Sequence, residues 1–248
     1  MRAYIQGRYG QPATTSGYCA YLGFTDMGIE TTIFSSIDEL EQANREDIVV
    51  GGIGVVKARL RNIGVSCDEI NYPEELQRFL GRRIWPSTIE RVNNGLEPWP
   101  VFVKPVEGKR FTGCVVRGIS DLVGKGCCGD NFSVICSDVL DIASEYRCFV
   151  RRGEILDVRR YRGRWDVAPD KNVITDAIAS YATAPAGYAA DFGVTKDGQT
   201  VLIEINDGYS LGSYGLWHDL YAQLLSARWS ELTETPDPCN FGLPVPAI

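Results

Sequence analysis

Tyr188-Ala-Ala-Asp-Phe-Gly-Val-Thr195 and Thr200-Val-Leu-Ile-Glu-Ile-Asn206, joined by Lys196-Asp197-Gly198-Gln199, decide how this chain is read. Asp-Gly between two alternating apolar runs is a hairpin signal. With Asp197 and Gly198 as a two-residue loop, the register sets Asp191 directly opposite Glu204. Asn206, two residues beyond, then projects from the same face as Glu204. Two carboxylates opposed with Cβ atoms roughly 5 Å apart repel and weaken a hairpin. A cation reverses that sign. Three hard oxygen donors on one face suit Mg²⁺, which keeps several waters and takes its remaining ligands from a nucleotide's phosphates. The alternative is a solvated face that carries acids by accident. Leu202, Ile203 and Ile205 weigh against it by marking a buried strand.

Upstream lie the cationic partners such a site needs. Lys104 ends the apolar run Val101-Phe-Val103, which presents its ammonium at a strand terminus. Glu107-Gly-Lys-Arg-Phe-Thr-Gly113 follows, a glycine-bearing cationic loop able to close over phosphates. It lacks the Gly-x-x-x-x-Gly-Lys-Ser/Thr order of a Walker loop, and alone it also reads as an exposed hairpin loop pinned by Phe111. Glu145-Tyr-Arg147 opens the strand Cys148-Phe-Val150 with an inward arginine, which suits an anionic ligand or, alternatively, an ion pair with Glu145 or Asp157. Arg159, Arg160, Arg162 and Arg164 form a further basic cluster, readable as an acidic-substrate contact or as a solvated strand edge.

Composition excludes several classes. At 248 residues the chain buries a sizeable core. A formal charge of −7 disfavours nucleic acid as the main partner. No stretch approaches the ~20 apolar residues of a membrane span, and Met1-Arg-Ala-Tyr-Ile-Gln6 lacks the apolar core of a signal peptide. A cytoplasmic protein with reduced thiols is therefore expected. The eight cysteines form no Cys-x-x-Cys pair, and Cys114, Cys136 and Cys148 sit inside apolar runs as small hydrophobes. The adjacent Cys127 and Cys128, in a glycine-rich stretch, leave redox chemistry as an option. The single histidine, His218, falls in an amphipathic stretch and reads as a helix-surface residue. Catalysis by Ser-His-Asp or Cys-His groups, or at a His-rich metal centre, would depend on it. The chemistry is expected to run on carboxylates, cations and metal-bound phosphate.

Along the chain, Ala3-Tyr-Ile5 and Ile48-Val-Val50 read as strands, with a capping box at Ser36 and Glu39 before a helix to about Glu46. Helical periodicity runs from Val55 to Ile63, and Pro73-Glu-Glu75 starts another helix. The chain divides into an N-terminal α/β lobe over 1–85, a second region over 86–232, and a proline-rich tail over 233–248 lying extended over the surface. Within the second region, residues 86–98 read as a passage and strands begin after Pro100. Arg152-Gly153 reads as a turn, and Asp170 as the cap of a helix carrying Val173, Ile174, Ala177, Ile178 and Tyr181.

In order, these pieces resemble the ATP-grasp superfamily. Phe102-Val-Lys-Pro105, Lys109, Ser144-Glu-Tyr-Arg147 and Ile203-Glu-Ile-Asn206 resemble the clade named for one arginine and two lysines, the R2K clade. Val50-Gly-Gly52 and Leu80-Gly-Arg-Arg83 are similar to segments of its N-terminal lobe. The resemblance implies a mixed α/β and α+β fold, with an N-terminal lobe followed by two α+β subdomains that clamp ATP between antiparallel sheets. It implies that Lys104 and Lys109 contact the α- and β-phosphates and Arg147 the γ-phosphate or an acyl phosphate. Asp191, Glu204 and Asn206 would hold Mg²⁺, and the adenine hinge would fall at Cys136-Ser137-Asp138-Val139, with either Asp138 or Asp141 on the ribose. The implied activity is ATP- and Mg²⁺-dependent ligation of a small-molecule or peptide carboxylate to an amine or thiol. A phosphotransferase, or a nucleotide-binding module without turnover, is the alternative. The oligomeric state stays open, a homodimer included.

Overall fold

Arg2–Arg8 forms the first strand, β1, in a computed structural model that describes residues 1–68, 70–106, 110–125 and 130–241. Ala3, Tyr4 and Ile5 are all buried, the unbroken apolar run of a strand covered on both faces. The short β2 (Gln11–Pro12) folds back antiparallel on its end. Helix α1 (Thr15–Asp26) follows, Thr14 capping it by accepting from Gly17 N at 3.0 Å. Strands β3 (Glu30–Phe34) and β4 (Ile48–Val50) pair with β1 in parallel, and α2 (Ile53–Asn62) completes the N-terminal layer. The capping box at Ser36 and Glu39 is present, but it opens only a 3-10 turn over Ile37–Leu40. The helix expected to reach Glu46 does not form. Arg59 from α2 donates to the carbonyls of Leu40, Ala43 and Asn44, occupying acceptors a longer helix would use. The start at Pro73 likewise gives a 3-10 helix, Glu74–Phe79.

The chain divides into two compact units, one of residues up to Phe79 and from Ala143 onward, the other of Leu80–Ile142. Within the second unit, β5 (Ile84–Thr88), α3 (Ile89–Asn93), β6 (Val101–Pro105), β7 (Cys114–Val116) and β8 (Ser133–Ser137) follow one another. Its antiparallel sheet has the order β5-β8-β6-β7. Sequence reading had placed a passage at Pro86, and the structure places a strand. It is an edge strand, where a residue without an amide proton is tolerated. Ile89, Val92, Val101, Val103, Val134 and Cys136 form the core of this unit.

The first unit resumes with β9 (Ile142–Arg151) and β10 (Glu154–Gly163), joined at Arg152-Gly153 with φ of +50° and +80°, the two positive values a tight primed turn requires. Next come α4 (Lys171–Ser180), capped by Asp170, then β11 (Gly187–Thr195), β12 (Thr200–Asp207) and α5 (His218–Thr233). The sheet order is β10-β9-β11-β12, which makes β10 an edge. One core joins β1, β3 and β4 to Phe149, Ala189 and the buried face of α5. Helices α1 and α5 pack tightly: a Cβ on Gly23 would lie 2.1 Å from the His218 carbonyl oxygen. Residues 234–241 fold back here. Asp237 accepts from Arg151 at 2.9 Å and Arg152 at 3.0 Å, and Cys239 is buried. No helix among the described residues is long and apolar enough to cross a membrane.

The β11–β12 hairpin reaches the expected register by an unexpected route. Thr195 N donates to Gln199 O at 2.9 Å, so the loop has three residues, Lys196, Asp197 and Gly198, with Gly198 at φ +88°. That shifts the pairing by one, setting Val194 opposite Thr200. A bulge at Ile203 shifts it back, and Asp191 stands opposite Glu204.

Candidate functional site

Arg147 on β9 and Asp191 on β11 face each other across adjacent strands. Arg147 Nε and Nη2 donate to Asp191 Oδ1 and Oδ2 at 2.8 and 2.7 Å, a bidentate pair with side chains only 7% and 3% exposed. Asn206 on β12 donates from Nδ2 to Asp191 Oδ2 at 3.0 Å, the diagonal contact its position two residues beyond Glu204 allows. The sequence had offered Glu145 or Asp157 as the ion-pair partner of Arg147. Those acids instead engage Arg162 at 3.1 Å and Arg159 at 2.5 Å.

Burial pushes the Asp191 carboxyl up from its ordinary range, Arg147 pulls it back, and the charges of Glu204 and Glu145 push it up again. Burial works against the charge on Arg147 as well, but the hydrogen bonds and charge of Asp191 outweigh it and hold the guanidinium firmly protonated. Two carboxylates therefore stand opposed on one face, with Asn206 beside them and the buried Arg147 guanidinium against Asp191. This donor set, two carboxylates and an amide, matches what a hard divalent cation takes.

Two aromatic rings that the sequence did not link to Arg147 complete the cluster. Tyr214, in the loop after β12, lies with its ring centroid 4.8 Å from Arg147 Cζ, and Tyr161 lies at 5.8 Å. Tyr161 is the extra residue of a bulge in β10, between the pairs Arg160–Tyr146 and Arg162–Glu145. Nothing in a linear pattern of arginines marks that position. The segment 208–214 is tethered: Ser210 Oγ donates to Gly51 O at 2.8 Å, Tyr221 Oη to Leu211 O at 2.6 Å, and Ser213 N to Ser16 Oγ at 3.0 Å.

The remaining candidates fall in the second unit. Lys104 lies on β6 opposite Ile135, alternating with the core residues Val103 and Pro105. Ser137 ends β8 and donates to the Asp138 carbonyl at 3.1 Å. Asp138 is clamped by Arg83, whose Nε and Nη2 donate at 3.0 and 2.8 Å and whose backbone N adds a third bond at 3.1 Å. Those donors hold the Asp138 carboxyl below the usual range. Val139 is partly exposed just beyond it. Lys109, Cys127 and Cys128 lie outside the described residues. At the near end of that loop, Arg110 sits 4.6 Å from the Phe132 ring and 3.6 Å from Asp130, and Phe111 packs on the unit's core.

Other residues resolve into structural roles. Arg159, Arg162 and Arg164 each pair with an acid on or near the β10 edge, the solvated-edge reading of that cluster. His218, at the start of α5, contacts Asp26 at 2.9 Å. Buried Cys136 has its thiol pushed up to about 11 by burial, the behaviour of an inert core residue.

A family model described as the ATP-grasp domain of R2K clade family 2 matches residues 79–224. No curated protein matches the chain in sequence. Among solved structures it resembles D-alanine–D-alanine ligase from Bacillus anthracis in complex with ATP, at 13% identity and TM-score 0.53 over 94% of this chain and 97% of that one. It also resembles a RimK-domain ATP-grasp protein from Sphaerobacter thermophilus, at 12% identity and TM-score 0.51 over 90% and 99%. A third is the macrocyclase MdnC from Microcystis aeruginosa bound to its precursor peptide, at 13% identity and TM-score 0.50 over 91% and 99%. At these identities the likeness establishes the fold.

Proposed function

The chain belongs to family 2 of the R2K clade of ATP-grasp domains, and from that premise we propose that it is an ATP- and Mg²⁺-dependent ligase that joins a carboxylate to an amine through an acyl phosphate. The observation that supports this reading is the cluster on β9, β11 and β12, where Arg147, Asp191 and Asn206 are hydrogen-bonded together and Glu204 stands opposite Asp191. In this reading Asp191, Glu204 and Asn206 hold Mg²⁺. The metal, when bound, supplies charge neutralisation for the triphosphate.

The protein's own groups do the rest. Arg147 offers a planar, permanently charged donor for the γ-phosphate, and Lys104 and Lys109 serve the α- and β-phosphates. Ser137, Asp138 and Val139 supply the hinge for the base. Arg83 already occupies both Asp138 oxygens, which makes Asp138 a brace of that segment. A substrate carboxylate oxygen attacks the γ-phosphorus and ADP departs. The amine then attacks the acyl carbon, phosphate leaves, and the amine gives up a proton. None of this needs covalent help from the protein, only positioning and charge. The similar solved structures, a ligase of amino acids bound to ATP and a macrocyclase bound to its precursor peptide, make small-molecule and peptide carboxylates the substrates to try first.

The test is a mass-spectrometric screen for ADP formation against pooled amino acids, peptides and small carboxylates. An amide product is expected. A stable phosphate ester would point to a phosphotransferase, and no ADP together with undiminished nucleotide binding to a non-catalytic module.

Two further outcomes follow from the same reading. A charged hydrogen bond contributes about 1.5–3 kcal/mol, so Lys104→Ala is expected to weaken ATP affinity or turnover at least about tenfold. Unchanged affinity and turnover would remove Lys104 from the site. Residues 107–113 are expected to gain amide-exchange protection when Mg²⁺ and a non-hydrolysable ATP analogue are added. Binding then supplies the attraction that offsets the entropy of ordering a cationic, glycine-bearing loop. Identical protection with and without nucleotide would mean that Phe111 pins the loop already.

A further inference from the structure

Tyr214 stands where a tyrosine is costly. Its φ is +42° and that of Gly215 is +85°, both in the left-handed region, within a turn closed by Leu216 N donating to Ser213 O at 2.8 Å. A bulky residue rarely adopts that conformation, because its Cβ crowds the backbone. Glycine or asparagine would fit with less strain. The residue is 47% exposed, so filling a core does not account for it.

The contacts of the ring do. It lies over the Arg147 guanidinium with 4.8 Å from centroid to Cζ, and it stacks on Tyr161 at 4.9 Å with planes 17° apart. Asp191 grips the Nε–Nη2 edge of the same guanidinium. One edge and one face of a planar cation are thereby fixed, which removes rotation about its long side chain. The loop that carries Tyr214 is itself anchored on both sides, through Ser213 to Ser16 and through Leu216 O, which accepts from Cys19 Sγ at 3.5 Å. Tyr161 reaches the ring of Tyr214 from the bulge in β10.

We infer that Tyr214, backed by Tyr161, is a positioning residue that holds the Arg147 guanidinium for a nucleotide's terminal phosphate. The inference rests on the nucleotide-binding reading above. The physical agent is the ring's negative face, which attracts a cation and does so more strongly where water is scarce.

The experiment measures affinity for Mg²⁺ and a non-hydrolysable ATP analogue by calorimetry, in wild type, Tyr214→Ala, Tyr214→Leu and Tyr214→Phe, and again in an Arg147→Lys background. Both Tyr214→Ala and Tyr214→Leu are expected to lose about 3- to 30-fold in affinity, the range of a cation–ring contact. Tyr214→Phe, which keeps the ring face, is expected to stay within about twofold of wild type. In the Arg147→Lys background, Tyr214→Ala is expected to cost clearly less than it does beside the native arginine, because a flexible ammonium lacks the planar face that the ring holds. Three results would overturn the positioning role while leaving the nucleotide site intact: undiminished affinity in Tyr214→Ala, Tyr214→Leu behaving like Tyr214→Phe, or a full additional loss in the double variant. Wild-type protein that binds no analogue would overturn the nucleotide reading itself and this inference with it.

Discussion

Arg147→Met is expected to destabilise the protein by about 3–5 kcal/mol, because it strands a buried carboxylate without its counter-ion. Asp191 accepts both hydrogen bonds of that guanidinium and is almost wholly enclosed. Asn206 Nδ2 also donates to it, but a neutral amide cannot replace a cation. Unfolding in urea, followed by tryptophan fluorescence, reads the change. The second arm decides the cause. Removing a buried pair together often costs little, so adding Asp191→Leu to Arg147→Met is expected to recover most of the lost stability without recovering any ATP-dependent turnover. If Arg147→Met alone is as stable as wild type, the pair carries no buried charge.

Glu204→Gln is expected to cut turnover by at least about 100-fold, the order of several kcal/mol that a correctly held metal contributes to charge stabilisation. The substitution keeps size and shape and removes one charge. Because Glu204 is only partly buried on β12, the unfolding midpoint is expected to change little. Affinity for Mn²⁺ in the presence of ADP, followed by electron paramagnetic resonance, is expected to fall together with turnover, and raising Mg²⁺ is expected to restore part of the activity. Wild-type turnover at limiting Mg²⁺ would remove the metal assignment of Glu204. Lost turnover with unchanged Mn²⁺ affinity would move Glu204 from the metal to the substrate.

Much of the site was legible because it depends on short-range rules. Strand alternation places Asp191, Glu204 and Asn206 on one face whatever surrounds them. An arginine that opens an apolar strand needs a partner anywhere it is buried. The turn at Arg152-Gly153, the cap at Asp170 and the R2K motifs are likewise properties of a few adjacent residues. Helix α1 left no comparable mark. Its buried positions are Gly17, Ala20, Gly23 and Phe24, and a stripe of small residues announces close packing on α5 only once α5 is in place. The capping box at Ser36 was read correctly as a start, yet the length of what followed was set by Arg59, from a different helix.

The chain's sequence alone determined that Asp191, Glu204 and Asn206 share one face of a hairpin and that an arginine opens an apolar strand. Tertiary structure decided how they meet. The expected two-residue loop is a three-residue loop, and the error it would have introduced is cancelled by a bulge at Ile203. Each device alone would have moved Asp191 out of line with Glu204. Bulges arise where a strand must bend to satisfy neighbours on both sides, and no local propensity encodes that. The same holds for the choice of Asp191 over Glu145 or Asp157 as the partner of Arg147, since Asp191 lies 44 positions away and is brought near only by the strand order β9-β11. It holds again for Tyr161 and Tyr214, which come from an edge-strand bulge and a strained turn and meet over one guanidinium. Periodicity encodes which face a side chain takes, while long-range packing sets which strand lies beside it, and the chemistry of this site requires both.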